Sequence, residues 1–366
     1  MWEKVRLSEL IEKPKSGEWG IEGEKIKVIR TTNFTNEGSI DFTNVVYRDI
    51  SDEKIAEKKL HKGDIIIEKS GGSPSQPVGR VVFFNEEEDY LYNNFTSLLR
   101  PKKKRTVEKY IFWFLFYYYK SNKVLKFQNK TTGIINLKLN DYVDSINVPL
   151  PPLAIQQQIV AILDKADRLR QLDKAIEEKY DVLAQSIFID MFGDPVKNEK
   201  GWKKVHFENI CSFKRGYDLP IQKRVKGVIP IYGANGVLDY HSVFKVENSV
   251  IVTGRSGSIG NVYRTKGASW PLNTTLYLYK TNGNNLIYLE YLLLNFKLSQ
   301  YAHGASVPTL DRNILFKQYL PSVPLELQNK FARKIAIINQ MKEQEIKGEE
   351  LFQALLQKAF KGELVS

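Results

Sequence analysis

The sequence predicts an α+β protein in which two β-rich mixed domains are joined by two long coiled-coil helices with an internal pseudo-two-fold. Three observations predict this fold. The chain of 366 residues is longer than a single hydrophobic core usually supports. Its two halves repeat the same order of motifs. Each half also ends in a long run of apolar residues at heptad spacing.

The internal repeat starts at the beginning of each half. WEKVRLSEL at residues 2–10 matches WKKVHFENI at residues 202–210, with Trp, Lys and Val in the same places. GDIIIEKSGGSPSQPVGRVVFF at residues 63–84 resembles NSVIVTGRSGSIGNVYR at residues 248–264. Each of these reads as an apolar strand, a Ser/Gly loop and a second strand. The shared order of motifs predicts two domains with one fold.

A second pair of matching segments closes each half. PLPPLAIQQQIVAIL begins at Pro149, and residues 153–188 align without gaps on residues 325–360. The first helix ends before Gly193 and Pro195, because glycine adopts the C-cap conformation and proline cannot continue a helix. The predicted boundaries are a first globular domain at 1–152, a central helix at 153–193, a second globular domain at 194–324 and a C-terminal helix at 325–366.

The globular segments read as β-rich. Short β-branched runs are separated by Gly, Asn, Ser and Pro, which is typical of strands joined by turns. The aromatic run YIFWFLFYYY, Tyr110 to Tyr119, is about half the length of a membrane span, so we expect a buried helix there. Candidate strands lie at residues 25–32, 64–69, 79–84, 249–254 and 275–279.

The segments that close each half read as coiled-coil helices. Apolar residues between Ile155 and Ile187 step by four and three, with an interruption at Asp173 that Glu345 repeats in the second copy. These two acidic residues either set the register or face water. A helix of about 35 residues is roughly 50 Å long, so its apolar stripe needs a partner, and its own copy is the obvious one. The predicted seam residues are Ile155, Ile159, Ile162, Leu169, Ile176, Leu183, Ile187, Leu327, Phe331, Ile338, Met341, Phe352 and Leu355.

Composition favours a nucleic-acid partner. A net charge of +12 is typical of proteins that attract polyanions, although ordinary lysine decoration of a surface gives the same balance. The single cysteine, Cys211, excludes an internal disulfide, which fits a cytoplasmic location. Residues 1–4 are not a basic segment followed by an apolar stretch, so we expect neither a signal peptide nor membrane attachment.

No motif for catalysis stands out. The sequence has no GxxxxGK[ST] phosphate loop, no HExxH and no cluster of Cys and His. The glycines of VTGRSGSIGNV lead into a strand-like run rather than a helix, unlike a dinucleotide-binding loop. Asp64 and Glu68 resemble nuclease carboxylates, but the spacing to Lys69 is wrong and the second half lacks them. We therefore expect no catalytic residue, no metal and no cofactor.

Binding residues recur instead. The loops SGGSPSQPVGR and GRSGSIGN place hydroxyls, backbone amides and an arginine on a tight turn, which suits a phosphate or makes a plain hairpin. PKKKR, residues 101–105, is a phosphate contact or a solvated loop. Polar segments that differ between the halves carry side chains that read base edges. The candidate DNA-binding residues are Arg30, Thr31, Thr32, Asn33, Ser70, Gly71, Gly72, Ser73, Arg80, Lys102, Lys103, Lys104, Arg105, Thr131, Thr132, Tyr232, Asn235, Arg255, Ser256, Ser258, His303 and Ser306.

Nearly the whole chain resembles a specificity subunit of a type I restriction-modification system. The resemblance is carried by the W-x-K-V opening of each half, by GRSGSIGNV and PLPPLAIQQQIVAIL, by QSIFIDMFGDP and by the closing LLQKAFKGELVS. It implies that each globular domain is a target recognition domain that reads one half of a split site in double-stranded DNA. It also implies that the two long helices pair antiparallel and form the spacer. Because the second half has no counterpart to PKKKR, the two halves need not contact DNA equally.

The resemblance further implies partners. The helices would dock two DNA methyltransferase subunits, which bring the S-adenosylmethionine site and recruit restriction subunits, while this chain stays non-catalytic. Three alternatives remain open. The first alternative is the specificity subunit of a combined, type IIB-like enzyme. The second is a coiled-coil adaptor with two domains that bind protein or glycan, and the third is a nuclease that depends on Asp64 and Glu68. Genetic neighbours, duplex DNA binding and metal-dependent cleavage distinguish them.

Overall fold

The structure is a computed structural model. It describes residues 2–73, 76–131, 134–304, 308–345 and 347–365, without the side chains of residues 130, 131, 343–345 and 347. The chain divides into two compact units. Unit 1 comprises Met1–Asp173 and Lys347–Ser366, and unit 2 comprises Lys174–Ile346. Within the described ranges, no helix is long and apolar enough to cross a bilayer.

The globular part of unit 1 consists of strands and four short or medium helices. Its helices are α1 (Leu7–Leu10), α2 (Asp52–Lys58), α3 (Glu108–Lys120) and α4 (Leu139–Ser145). Its strands are β1 (Glu3–Arg6), β2 (Lys15–Ser16), β3 (Ile21–Ile29), β4 (Val46–Asp49), β5 (Ile65–Glu68), β6 (Ser70–Gly72), β7 (Val81–Phe83), β8 (Tyr90–Tyr92), β9 (Thr96–Leu99), β10 (Gln128–Thr131), β11 (Ile134–Leu137) and β12 (Asn147–Leu150).

The long helix α5 (Leu153–Phe192) follows and ends at Gly193, whose φ of +76° is the predicted left-handed C-cap. In unit 2 the helices are α6 (Phe207–Ile210), α7 (Leu286–Phe296), α8 (Arg312–Phe316) and α9 (Leu325–Glu345). The strands of unit 2 are β13 (Lys204–His206), β14 (Ser212–Arg215), β15 (Ile229–Gly233), β16 (Gly236–His241), β17 (Ile251–Gly254), β18 (Val262–Arg264), β19 (Trp270–Pro271), β20 (Thr275–Lys280), β21 (Ala302–His303), β22 (Thr309–Leu310) and β23 (Tyr319–Pro321). Helix α10 (Lys347–Lys361) belongs to unit 1.

The two globular parts share one topology. The sheet β2-β9-β5-β7 of unit 1 corresponds to β14-β20-β17-β18 of unit 2, β4-β3-β8 to β16-β15-β19, and β1-β12 to β13-β23. The parallel pairing of β3 with β8 is also repeated, by β15 with β19. The hydroxyls of Thr96 and Thr275 both donate, at 2.7 Å, to the carbonyl three residues earlier. The predicted mixed fold with two similar domains is confirmed, and each predicted strand segment contains an observed strand.

A helix covers the four-stranded sheet of each unit. In unit 1 this is α3, where the aromatic run forms the predicted buried helix, with Tyr110 to Phe116 inside the core. Trp113 packs edge-to-face on Phe352 of α10, with ring centroids 5.5 Å apart. In unit 2 the equivalent helix is α7, whose Tyr288 stacks on Phe188 of α5. The globular core of each unit therefore continues onto its long helices.

In unit 1 the long helices pair antiparallel. Arg170 of α5 donates to Glu349 of α10 at 3.1 Å and lies over the ring of Phe352 at 4.1 Å. Asp173 lies opposite Gly348, where an added Cβ would be 2.0 Å from the Asp173 Oδ2 atom. Asp173 is half-buried and faces α10, which favours a role in the helix pairing over a solvated position.

In unit 2 the pairing is antiparallel as well. Asp181 of α5 accepts from Lys342 of α9. Phe188 packs against Phe331, with ring centroids 5.6 Å apart. Higher numbers in α5 thus meet lower numbers in α9, as in unit 1 with α10. The predicted antiparallel pairing is confirmed within each unit.

The buried stripe of these helices departs from the predicted seam by one residue at several positions. Leu169 and Leu183 are 47% and 46% exposed, while Arg170 and Ala184 are buried. The stripe is displaced because α5 packs on its globular part as well as on its partner helix. Among the other predicted seam residues, Ile159, Phe331, Ile338 and Phe352 are buried, Ile155, Ile162, Ile176, Ile187, Leu327 and Leu355 are half-buried, and Met341 is exposed.

Two equivalent glutamines join the long helices to the globular parts. The Gln156 side chain is fully buried, accepts from the Val107 N–H at 2.9 Å and donates to the carbonyls of Arg105 and Pro151 at 3.1 and 2.9 Å. Gln328 repeats this in unit 2 by accepting from the Asn285 N–H at 2.8 Å. Each glutamine thereby satisfies a free backbone group at the N-terminus of α3 or α7.

Candidate nucleic-acid interface

Each unit presents a turn of a basic residue, a serine and a glycine at the end of a central strand. The first turn is Lys69-Ser70-Gly71 after β5, and the second turn is Arg255-Ser256-Gly257 after β17. The N–H groups of Lys69 and Ser70 donate to the Phe95 carbonyl at 2.9 and 3.2 Å. Those of Arg255 and Ser256 donate to the Thr274 carbonyl at 2.8 and 3.2 Å. The two turns are thus equivalent in position and in backbone bonding.

The glycine of each turn adopts a conformation that other residues avoid. Gly71 has φ of +98° and Gly257 has φ of +82°. A Cβ on Gly257 would meet no atom within 4 Å, so the backbone conformation rather than lack of space requires glycine there. The sharp turn exposes backbone and leaves room for a ligand to approach closely.

The first turn borders a cleft of about 450 Å³, here called the first cleft. It brings together predicted DNA-binding residues from two stretches of unit 1, one from residue 31 to 34 and one between residues 68 and 80. Gln76 also lines it, although the sequence analysis did not single this residue out. The lining residues are Thr31, Thr32, Phe34, Glu68, Gly71, Gly72, Ser73, Gln76 and Arg80.

Arg80 supports the first cleft from within. Its guanidinium pairs with Glu68 at 2.8 Å and donates to the carbonyls of Phe34 and Thr31 at 3.2 and 3.1 Å. Arg80 and Glu68 are 7% and 3% exposed. The structure therefore corrects the prediction that Arg80 contacts phosphate: its donors are already used to fix the loop that carries Thr31 and Thr32.

Asn33 is also structural. It is 2% exposed, accepts from the Arg30 N–H at 2.9 Å and donates to the carbonyls of Asp41 and Asn44 at 3.0 and 3.2 Å. The Arg30 guanidinium donates to the same Asn44 carbonyl at 2.8 Å. The structure therefore corrects the prediction that Asn33 contacts a base. Thr32 beside it is exposed and can reach a ligand.

The second turn borders a cleft of about 330 Å³, here called the second cleft. Three arginines line it, from β14, from the second turn and from α8. The predicted residues Arg255 and His303 lie together here, and Arg215, Arg312 and Asn313 are additions that the sequence analysis missed. The lining residues are Arg215, Arg255, Leu276, His303, Thr309, Leu310, Asp311, Arg312 and Asn313.

Three further predicted residues of unit 2 lie on the strands and loops near the second turn. Tyr232 is 7% exposed and packs with Val252 and Tyr277, and burial raises its pKa. The prediction that Tyr232 reads bases is therefore corrected. Asn235 and Ser258 are exposed on loops, and Asn261, at the position equivalent to Arg80, donates to the Asn235 side chain at 3.4 Å.

The basic run Lys102, Lys103, Lys104 and Arg105 lies apart from the first cleft. Strands β5 and β9 pair antiparallel from Ile65 opposite Leu99 to Glu68 opposite Thr96. The basic run follows the Leu99 end, whereas the first turn follows the Glu68 end. Lys102 donates to the Glu9 carbonyl at 3.1 Å, and Lys103 and Arg105 pair with Glu108 and Glu3 at 3.1 and 3.3 Å. All four side chains are exposed.

Ser70 completes the first turn by donating to Asn136 of β11 at 2.5 Å. The backbones of Ser70 and Asn136 are also antiparallel β-partners, and the backbones of Ser256 and Thr309 form the equivalent bridge in unit 2. Thr131 ends β10, and β11 separates β10 from β6 of the first turn in the sheet β10-β11-β6. Thr132 and Ser306 lie outside the described residues, and the same holds for the side chain of Thr131.

The carboxylates considered for a nuclease are held in separate ion pairs. Asp64 pairs with Arg100 at 2.7 Å, and Glu68 pairs with Arg80 at the other end of β5. Within the described part of the chain, no group of three or more His, Cys, Asp or Glu residues is arranged to hold a metal ion. Each of the two carboxylates is therefore paired with its own arginine.

Comparisons with known proteins match one family of DNA specificity subunits. A family model described as the type I restriction modification DNA specificity domain matches residues 1–179 and 199–348. A putative type I restriction enzyme MjaX specificity subunit of Methanocaldococcus jannaschii is 27% identical over 181 residues, which cover 48% of this chain and 42% of that protein. The putative type I restriction enzyme specificity subunit S.HindORF215P of Haemophilus influenzae is 32% identical over 108 residues, 30% of this chain and 25% of that protein. The chain spans less than half the length of these curated relatives.

Solved structures share the fold over nearly the whole chain. The S subunit of a type I restriction-modification system from M. genitalium matches with a TM-score of 0.55 at 18% identity, over 98% of this chain and 96% of that one. A chain described under complex assembly and conformational transition of the type I R-M system matches with a TM-score of 0.55 at 16% identity, over 99% and 98%. Both matches show a common fold.

Proposed function

The chain belongs to the type I restriction modification DNA specificity family, and from that premise we propose that it selects the DNA sequence on which a restriction-modification complex acts. Each unit reads one half of a bipartite site in double-stranded DNA. The observation that carries this proposal is the repeated basic–Ser–Gly turn, placed identically in both units but bordered by clefts of different lining.

Affinity and specificity come from different groups in this proposal. Arginine and lysine side chains on phosphates give sequence-independent, salt-sensitive affinity. Exposed polar residues beside the turns, such as Thr32, Gln76, Asn235 and His303, contact base edges, each good contact discriminating by about 1–3 kcal/mol. Because these residues differ between the units while the turn persists, the two half-sites differ in sequence.

Helix α5 sets the spacer between the half-sites in this account. It runs for 40 residues, roughly 60 Å at about 1.5 Å per residue. Matched insertions in α5 and in the helices that pair with it are expected to change the number of unread bases between the half-sites. An insertion variant that folds and methylates the original motif would contradict this role.

The partners follow from the same proposal. Two DNA methyltransferase subunits dock on the long helices, whose exposed apolar residues Leu169, Leu172 and Val182 suit a protein contact, and these subunits bring restriction subunits into the complex. The methyltransferase supplies the S-adenosylmethionine chemistry, the chain itself is non-catalytic, and the complex works in the cytoplasm.

The test is to map methylated bases in the genome of cells that express the chain together with the methyltransferase encoded beside it. We expect one bipartite motif that disappears when the gene for this chain is deleted. Methylation at a continuous motif, or a motif unaffected by the deletion, would refute the proposed function.

A further inference from the structure

We infer that Arg215, Arg255 and Arg312 of the second cleft form a binding site for the phosphodiester backbone of DNA, which makes unit 2 the main source of salt-sensitive affinity. The inference rests on the proposed function, because it names the part of the ligand that one cleft takes. It goes further in assigning unequal electrostatic roles to two units of the same topology.

The three guanidinium groups are concentrated in one small cleft. They share it with one carboxylate, Asp311, whose side chain accepts the Asn313 N–H at 2.9 Å. Arg215 and Arg312 are exposed, and the ion pairs found among the described residues involve none of the three arginines. With three cationic side chains and one anionic one, 3 − 1 leaves a formal charge of +2 in the cleft.

This chemistry fits a phosphodiester. Guanidinium groups bind phosphate oxygens through paired N–H donors, and they hold their charge at every physiological pH. The Arg215 Nε atom donates to the Asn273 carbonyl at 3.3 Å, which anchors the side chain at the rim of the cleft. His303, Thr309 and Asn313 add neutral polar groups. A run of negative charges along a duplex backbone satisfies several of these donors together.

Unit 1 has no arginine at the equivalent positions. Arg215 lies opposite Leu276, as Ser16 lies opposite Ser97, so Ser16 takes the place of Arg215. The Leu137 N–H donates to the Lys69 carbonyl at 2.8 Å, as the Leu310 N–H does to the Arg255 carbonyl, so Lys69 takes the place of Arg255. Two residues further along the chain, Leu139 takes the place of Arg312. The same alignment puts the exposed Lys138 in the place of Asp311, so unit 1 has two lysines, Lys69 and Lys138, where unit 2 has three arginines.

Of these two lysines, Lys69 is less available to a ligand than its counterpart Arg255. The Lys69 ammonium donates to the Ser16 hydroxyl, and burial lowers its pKa. Arg80, the arginine in the first cleft, is neutralised by Glu68. The exposed lysines of the 102–105 run follow the opposite end of the sheet from the first turn. The first cleft is thus suited to reading polar edges, and the second cleft to holding charge.

The experiment compares the salt dependence of binding between variants of the full chain, purified alone and with its methyltransferase, on a fluorescent random-sequence duplex. The test variant is Arg215→Gln with Arg312→Gln. The matched control is Lys197→Gln with Lys200→Gln in the loop before β13, two exposed lysines whose loss changes the net charge of unit 2 equally. A rival variant, Lys102→Gln with Lys104→Gln, removes two exposed charges from unit 1.

We expect the salt dependence to become shallower in the test variant, with the magnitude of the slope of log affinity against log salt smaller by about 2, since each lost phosphate contact removes about 0.9. The control should keep the wild-type slope, and the rival variant should lose less than half as much as the test variant. An equal loss in the test and rival variants, or none in the test variant, overturns the inference. Tight binding of inorganic phosphate with an unchanged DNA slope also overturns it, by making the cleft a small-anion site.

The outcomes separate this inference from the proposed function. If the wild-type chain with its methyltransferase binds no duplex DNA, the proposed function itself fails. If it binds DNA and methylates a bipartite motif while the slopes contradict the expectation, only the unequal roles of the two units are wrong. Circular dichroism of each variant verifies that the substitutions leave the fold intact.

Discussion

Replacing Gln156 by alanine tests how the central helix is joined to the first globular part. The side chain makes three hydrogen bonds, from the Val107 N–H and to the carbonyls of Arg105 and Pro151, and it is fully buried. Loss of the side chain leaves one buried and two part-buried backbone groups without this partner, at about 1 kcal/mol each. We therefore expect Gln156→Ala to lower the free energy of unfolding of unit 1 by about 3 kcal/mol.

The assay is urea unfolding combined with hydrogen exchange of the α3 amides. A loss of about 3 kcal/mol increases exchange through unfolding roughly a hundredfold. The neighbouring Gln157 is exposed, so Gln157→Ala is the matched control and is expected to change stability by less than about 0.5 kcal/mol. Gln328→Ala should reproduce the effect in unit 2. Equal effects of Gln156→Ala and Gln157→Ala would refute the reasoning.

Three further predictions follow from buried or strained groups. Glu68→Gln leaves the Arg80 charge buried without its partner and should lower the free energy of unfolding, measured with urea, by about 3–5 kcal/mol. Glu53 is exposed, so Glu53→Gln should leave the stability unchanged. Equal stability of the two variants would contradict this prediction. Gly257→Ala should lower the free energy of unfolding by about 1–2 kcal/mol, because its positive φ is unfavourable for alanine. Gly233→Ala is the control, since a Cβ there meets no atom closer than 3.8 Å and the residue lacks a positive φ. An unchanged melting temperature of Gly257→Ala would contradict the strained turn. Burial raises the pKa of Tyr291 from 10.0 to about 12, so the stability that its neutral form contributes is complete below pH 10 and is lost as pH rises towards 12. A tyrosinate absorbance titration of the wild type should show an ionisation near pH 12 that Tyr291→Phe lacks. An unchanged titration in Tyr291→Phe would refute this.

The topology was predictable because the sequence repeats itself. An order of motifs written twice, with one alignable helix after each half, indicates two domains of one fold whatever the details of each loop. The central helix was predictable from Pro152 to Gly193, since both ends carry strong local signals. The exact stripe was not, because α5 contacts the globular part as well as a partner helix, and heptad spacing alone assumes a two-helix seam.

The candidate site was predictable only in part. The Ser/Gly turns were identified because glycine and serine mark tight turns locally. Arg80 was misread because nothing in its own segment reveals that Glu68, twelve residues earlier, lies beside it on the neighbouring strand. Arg215 and Arg312 were missed since they reach the second cleft from β14 and α8, segments separated by 97 residues in sequence (312 − 215).

The measurement that tests the central claim most directly is an exchange of one recognition unit. Residues 202–320 are replaced by the corresponding segment of another family member, and the methylated motif is read in cells that also express the methyltransferase. The account predicts that one half of the bipartite motif changes while the other half is retained. Retention of the entire motif by a folded and active exchange variant, or loss of both halves together, would contradict it.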